Sequence, residues 1–325
     1  MDFKPQAVKL LICFASIGLL LPGDVSRLSS QTLASASPHL LLTQITQNTA
    51  EITVRVWGKE ALGSGIIINH QGSAYTVVTN QHVLRASKAP YQIQTFDGKI
   101  YPASVVQTSL SKQYDLALLH FRSNQNTYKT AILGNSATLK VGEPIFAAGF
   151  PVQIETITTP RTKLQTLAEF AFKTGRIAVI LDKALEEGYQ IGYTNDVKKG
   201  MSGGPLVNSK GEVVGINGKH AYPLWEAPDF FADGSQPCPP LQKLITRSSL
   251  AIPVEKITEI QPNIQLTHSV ESSLALEDAA TPPIIEDSEE NSKNAELIFK
   301  MQAEAEANKN CRELPGESDP SEAKQ

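Results

Sequence analysis

The segment Lys199-Gly200-Met201-Ser202-Gly203-Gly204-Pro205-Leu206-Val207 sets one hydroxyl in a glycine-flanked turn before an apolar run. Acyl transfer needs that arrangement. A tight turn lets backbone N–H groups beside the hydroxyl converge on the oxyanion of a tetrahedral intermediate, and Gly200 and Ser202 would supply them. A serine is a poor nucleophile at neutral pH, so it needs a base whose pKa lies near the working pH. Thr79-Asn80-Gln81-His82-Val83-Leu84 places a histidine at the end of a β-type run. The base in turn needs an acid to fix its tautomer. Asp115, in Tyr114-Asp115-Leu116-Ala117-Leu118-Leu119, stands just before an apolar strand where a carboxylate could be buried against the ring.

These residues must be carried by short strands. From about Glu51 to Pro253 the chain reads as short apolar or alternating runs: Ile52–Trp57, Gly65–Ile68, Ala74–Thr79, Ile93–Phe96, Ser104–Gln107, Leu116–Phe121, Ile145–Ala148, Lys173–Ile180, Tyr189–Thr194, Leu206–Val207 and Val213–Ile216. Turn signals such as His70-Gln71-Gly72, Asp97-Gly98 and Ser209-Lys210-Gly211 separate them. About a dozen strands at this spacing predict an all-β barrel or sandwich. Tyr222–Arg247, with five prolines, Phe230-Phe231 and Cys238, reads as a surface insertion. A short helix from Val254 to about Ile260 is expected to close the domain.

The three segments, in the order His82, Asp115, Ser202, resemble the signatures of trypsin-like serine peptidases over roughly residues 48–262. The resemblance implies two six-stranded antiparallel β-barrels of the chymotrypsin-like kind with the site in the cleft between them. It also implies a Ser-His-Asp triad, an oxyanion hole from the Gly200 and Ser202 amides, polypeptide substrates, and neither metal nor organic cofactor. Gly63-Ser64-Gly65, the run from Asp97 to Ala103 and Gly211-Glu212-Val213-Val214-Gly215-Ile216-Asn217 look closest to bacterial disulfide-free members, the Deg and glutamyl-endopeptidase groups. Deg proteases usually continue into a PDZ domain, which the 63 residues of tail here are not expected to form. Met201 stands where the animal digestive enzymes carry an aspartate, so activation by insertion of a new N-terminus is not expected.

The resemblance leaves specificity open. Asp196 aligns with the acid at the base of the primary pocket, with Lys198 and Lys199 close enough in sequence to neutralise it. Asn217, Gly218 and Lys219 lie on the expected pocket wall, and Asn217 takes the place of a histidine that glutamyl endopeptidases use. Basic, small apolar and acidic side chains all stay open as the preferred P1 residue, in that order.

Composition sets the context. The formal net charge of −4 divides into −9 over residues 263–325 and +5 over the first 262, which gives no sign of a nucleic-acid binder. Lys4 and Lys9, the apolar run from Leu10 to Leu21 and Pro22-Gly23 have the layout of a secretory signal, and residues 1–36 are read as that signal or as an uncleaved anchor. The run is too short to favour a membrane span. An exported protein of the periplasm, thylakoid lumen or extracellular space is therefore expected, with a linker over 37–47. The acidic tail from 263 is expected to be mostly disordered, with one helix at 289–310. Cys13 would leave with the signal, so Cys238 and Cys311 either pair or stay free. A rival reading keeps the peptidase fold but makes the chain a catalytically silent binding module for exported polypeptides.

Overall fold

The computed structural model describes residues 38–264 apart from 60–61, 87, 109–112, 126, 156–163, 168, 222–229 and 263, together with Glu296, Phe299, Lys300 and Ala303. In chain order the elements are α1 (Pro38–Ile52), β1 (Thr53–Trp57), β2 (Leu62–Gln71), β3 (Ala74–Thr79), α2 (Gln81–Arg85), β4 (Tyr91–Gln94), β5 (Ile100–Val106) and β6 (Ala117–Arg122). They continue as β7 (Pro144–Gly149), β8 (Val152–Glu155), β9 (Leu164–Leu167), β10 (Ala171–Ile180), β11 (Ile191–Tyr193), β12 (Pro205–Val207), β13 (Val213–Lys219), α3 (Pro239–Arg247), β14 (Ser249–Pro253) and α4 (Lys256–Ile260).

Two closed six-stranded antiparallel barrels result. The first runs β1-β2-β3-β6-β5-β4 and the second β10-β11-β14-β13-β12-β7, while β8 and β9 form a separate hairpin. Strand period 2 explains how one strand serves two cores. Along β3, Tyr75 and Val77 enter the first barrel, while Val78 joins a cluster shared with Phe146, Val207, Val213 and Ile216 of the second. In the next strand of that barrel Ala117, Leu119 and Phe121 point inward, and Leu116 and Leu118 join the shared cluster. A fully buried Leu or Ile at such positions contributes about 1.5 to 3 kcal/mol. Because β3 and β6 both abut the shared cluster, the residues that follow one and precede the other, His82 and Asp115, lie at the seam.

Several segments differ from the sequence reading. The stretch expected as a linker is helical from Pro38 onward: a proline opens α1, and Ile45, Thr49 and Ile52 recur on one face and are buried. In the expected insertion, Pro239-Pro240 open α3, whose Leu244 and Ile245 join the shared cluster. Prolines there start a helix rather than prevent one. The β8–β9 hairpin and β14 are additional strands. Glu296, Phe299, Lys300 and Ala303 are helical, with Glu296 and Lys300 paired at 2.9 Å; the rest of the expected tail helix, the signal segment, Cys13 and Cys311 lie outside the described residues. Cys238 is disulfide-bonded, and the chain's other two cysteines are among the residues not described.

The second barrel buries two phenols completely, Tyr189 and Tyr193. Burial raises both above the usual tyrosine range, for Tyr189 with the added charge of Asp115. A raised folded value means their stabilising contribution is complete below the unfolded value of about 10 and is lost as pH rises through the folded one. Above about pH 10, the phenolate absorbance of these two residues should therefore appear together with loss of barrel circular dichroism; appearance before unfolding would count against their burial.

Candidate active site

His82 sits in the short helix α2, begun by Asn80 and Gln81 after β3 ends. The buried Asn80 side chain donates to Asp115 O at 2.8 Å, tying the start of this helix to the loop before β6. Asp115 itself has a fully buried carboxylate. Its Oδ1 accepts the His82 backbone N–H at 2.7 Å, and its Oδ2 lies 2.5 Å from His82 Nδ1. Tyr189 donates its hydroxyl to the same Oδ2 at 2.5 Å. Burial pushes the Asp115 carboxyl up, but the hydrogen bonds and charge of His82 and the Tyr189 phenol outweigh it, so it lies below the usual carboxylate range. An ionised Asp115 accepting at Nδ1 holds the imidazole with its proton there, which leaves Nε2 as the basic nitrogen.

Ser202 is partly buried on the loop between β11 and β12. Its hydroxyl donates to Gly218 O at 3.1 Å, and among the described residues it makes no hydrogen bond to His82. The loop is held from both barrels. Ser64 of β2, fully buried, donates its N–H to Ser202 O and its hydroxyl to Gly200 O, both at 2.8 Å, and accepts Phe150 N–H at 2.9 Å. Thr79, the last residue of β3, donates to Ser64 O at 2.7 Å. Gly203 (φ +84°) passes so close to Ser64 O and Thr79 Oγ1 that any Cβ would overlap both. The Ser202 turn of the second barrel is thereby bonded to β2 of the first and, through Ser64, to β3, the strand that precedes His82.

The two amides expected to bind an oxyanion are unoccupied. Among the described residues neither Gly200 N–H nor Ser202 N–H donates a hydrogen bond, whereas neighbouring amides do: Met201 to Lys198 O, Gly203 to Asn217 O and Gly204 to Met201 O. Lys199 O accepts Val152 N–H of β8 at 2.8 Å. Since carbonyl and N–H point oppositely in a trans peptide, this bond turns the Gly200 N–H away from Val152.

The specificity candidates fall in different places. Asp196 is exposed and paired with Lys198 at 2.8 Å, so the neighbouring lysine takes the carboxylate that was expected at a pocket base. Asn217 is fully buried. Its amide donates to Ala148 O and Pro205 O at 3.0 Å and accepts from Tyr193 at 2.9 Å, which commits it to holding strands together. Lys219 Nζ lies 4.9 Å above the Tyr189 ring and 3.8 Å from Glu187. Gly218 touches Ser202 directly through its carbonyl. Tyr189 and Ser64 were not picked out by sequence: Tyr189 reads as one more apolar strand residue, and Ser64 only as part of a glycine-rich run.

Part of the chain is similar to known proteins. Residues 63–216 match the family described as the trypsin-like peptidase domain. A protein of Buchnera aphidicola subsp. Schizaphis graminum named "Probable periplasmic serine endoprotease DegP-like" is 35% identical over 161 residues, 48% of this chain and 29% of that protein. "Serine protease HTRA1" of Xenopus laevis is 30% identical over 167 residues, 48% of this chain and 31% of that protein. The match thus spans about a third of these relatives' own length. The crystal structure of Deg5 aligns with a TM-score of 0.49 at 20% identity, covering 68% of this chain and 92% of that one. From Gly63 to Ile216, then, the chain is similar to the trypsin-like peptidase domain.

Proposed function

We propose that the protein is a serine endopeptidase that cleaves exported polypeptides, with His82, Asp115 and Ser202 as its triad. The observation that carries this reading is the buried Asp115 carboxylate, clamped on both oxygens to His82 and so fixing Nε2 as the base. During attack the Ser202 hydroxyl turns from Gly218 O toward His82 Nε2, which takes its proton as Oγ bonds to the scissile carbonyl carbon. The unoccupied Gly200 and Ser202 N–H groups receive the developing oxyanion, His82 returns the proton to the leaving amine, and water then hydrolyses the acyl-enzyme. A catalytic hydrogen bond absent before substrate arrives is common, because such bonds tighten in the substrate complex.

Action outside the cytoplasm is supported by the signal-like N-terminus and by the periplasmic designation of the Buchnera relative. Among the described residues no helix is long and apolar enough to cross a membrane. The direction of the resting Ser202 hydroxyl, away from His82, is what favours the rival binding module. The test is a fluorophosphonate probe on the full chain at neutral pH, with and without denatured casein, followed by peptide mapping. Covalent label on Ser202 is expected. A folded chain that takes up no label under either condition removes the peptidase reading in favour of the binding module.

A further inference from the structure

We propose that Tyr189 is a positioning residue of the active site: its phenol, reaching Asp115 across Gly218, holds the carboxylate in register with the His82 ring. The catalytic consequence rests on the peptidase reading; the geometric one does not.

Asp115 enters from the first barrel with only two oxygens to anchor, and the backbone of α2 takes one of them. The other, Oδ2, must both face Nδ1 and stay there. Among the described residues the carboxylate's other hydrogen bonds both come from His82, the backbone N–H at Oδ1 and the ring nitrogen at Oδ2, so without Tyr189 no hydrogen bond from outside α2 fixes its tilt against the ring. The Tyr189 hydroxyl supplies the second fixed donor at 2.5 Å. Its own place is over-determined. The side chain is completely buried, Lys219 lies over the ring, and Tyr189 O accepts Leu185 N–H at 2.8 Å.

Two neighbouring features are built around the same contact. Glu187 adopts a left-handed backbone conformation (φ +59°), which costs a non-glycine residue and persists only where the surroundings enforce it. In that conformation its carbonyl accepts Asp115 N–H at 2.9 Å, while its carboxylate bonds Arg85 of α2 at 2.9 Å. Residues 187 and 189 therefore hold Asp115 by its backbone and its side chain together. Gly218 is the second feature: a Cβ there would overlap the Tyr189 hydroxyl, Cε1 and Cζ. The backbone of Gly218 thus separates the phenol from Ser202, whose hydroxyl its carbonyl accepts. Among the described residues the ionisable groups facing the Tyr189–Asp115 pair include His82 and Arg85 on α2, Glu187, Tyr193 of β11 and Lys219 of β13. The phenol stays protonated as a donor, because burial and then the Asp115 charge push it well above its usual range.

The test compares full-length wild type with Tyr189→Phe and Tyr193→Phe. Tyr193 is equally buried and also loses one hydroxyl bond, to Asn217, so it controls for packing and for the loss of a buried hydrogen bond. The first readout is the far-downfield proton resonance of the His82–Asp115 bond, identified by its absence in Asp115→Asn. The second is the rate of fluorophosphonate reaction at Ser202, with kcat and KM on a peptide substrate. Tyr189→Phe should move the resonance, slow phosphonylation and lower kcat about 10- to 100-fold, as loss of one hydrogen bond to a charge predicts, and leave KM unchanged. Tyr193→Phe should leave resonance and rate in place. Should Tyr189→Phe not fold, Gly218→Ala displaces the phenol without removing it and must move the same resonance. An unmoved resonance and an unchanged rate in the folded variant overturn the proposal. If wild type takes up no probe yet only the Tyr189 or Gly218 variant moves the resonance, the positioning role stands and the peptidase reading falls.

Discussion

Ser202→Ala is expected to lower kcat/KM for peptide hydrolysis by about a million-fold while leaving the fold intact, measured as peptide turnover beside a thermal melt. Among the described residues the hydroxyl makes one hydrogen bond, to Gly218 O, so its removal costs about 1.5 kcal/mol of stability or less. Everything else at the site remains: the clamped His82, the two unoccupied amides and the Ser64 bonds to the loop. Residual activity about 10³ to 10⁴ above the uncatalysed rate should survive on the amides and on substrate binding alone. Adding His82→Ala to Ser202→Ala should then cost almost nothing further, because a base without its nucleophile has no proton to take. A double variant many-fold worse than the single would mean that His82 acts elsewhere.

Asp115→Asn should cost about 10⁴-fold in kcat/KM with a much smaller change in melting temperature. Three donors meet the carboxylate: the His82 backbone N–H, the His82 ring and the Tyr189 hydroxyl. Asparagine keeps one acceptor oxygen and brings an NH2 group. With the oxygen on the ring side, the NH2 faces the His82 backbone N–H, which cannot turn away, and a buried donor is left unpaired at about 1 to 3 kcal/mol. With the oxygen on the backbone side the NH2 donates to Nδ1 and to the Tyr189 oxygen, so both His82 groups are satisfied and only the phenol's own proton loses its acceptor. The second arrangement is favoured, and it moves the ring proton to Nε2, where the base is needed. Activity that survives together with a drop in melting temperature would show that the first arrangement had formed.

His82, Asp115 and Ser202 stand out in sequence because each sits in a local pattern: a hydroxyl between glycines, a histidine ending a strand, an aspartate opening one. The barrel strands were legible for a similar reason, since alternation along Ala74–Thr79 and Leu116–Phe121 survives even where both faces are buried. What was hidden depends on long-range contact. Tyr189 meets Asp115 across 74 positions of sequence, and Ser64 meets Gly200 across 136, so neither leaves a local trace. The helix α1 was hidden because a threonine, Thr49, interrupts the aliphatic spacing of its buried face between Ile45 and Ile52, and α3 because its opening prolines resemble a loop. Asn217 and Asp196 were placed on a pocket by alignment. Neither alignment could show that Tyr193 and two carbonyls would take up the amide, or that Lys198 would take up the carboxylate.

Ser64 gives the molecule a property that neither barrel has alone. The turn that presents Ser202 borrows an N–H and a hydroxyl from the opposite barrel, and the acid that orients the base is gripped from the opposite side in return. On the peptidase reading, competence for chemistry therefore needs both barrels together, because each holds a part of the site that belongs to the other. On that reading a chain with one finished barrel is inert, and the docking of the two barrels is what would give the protein its reactivity.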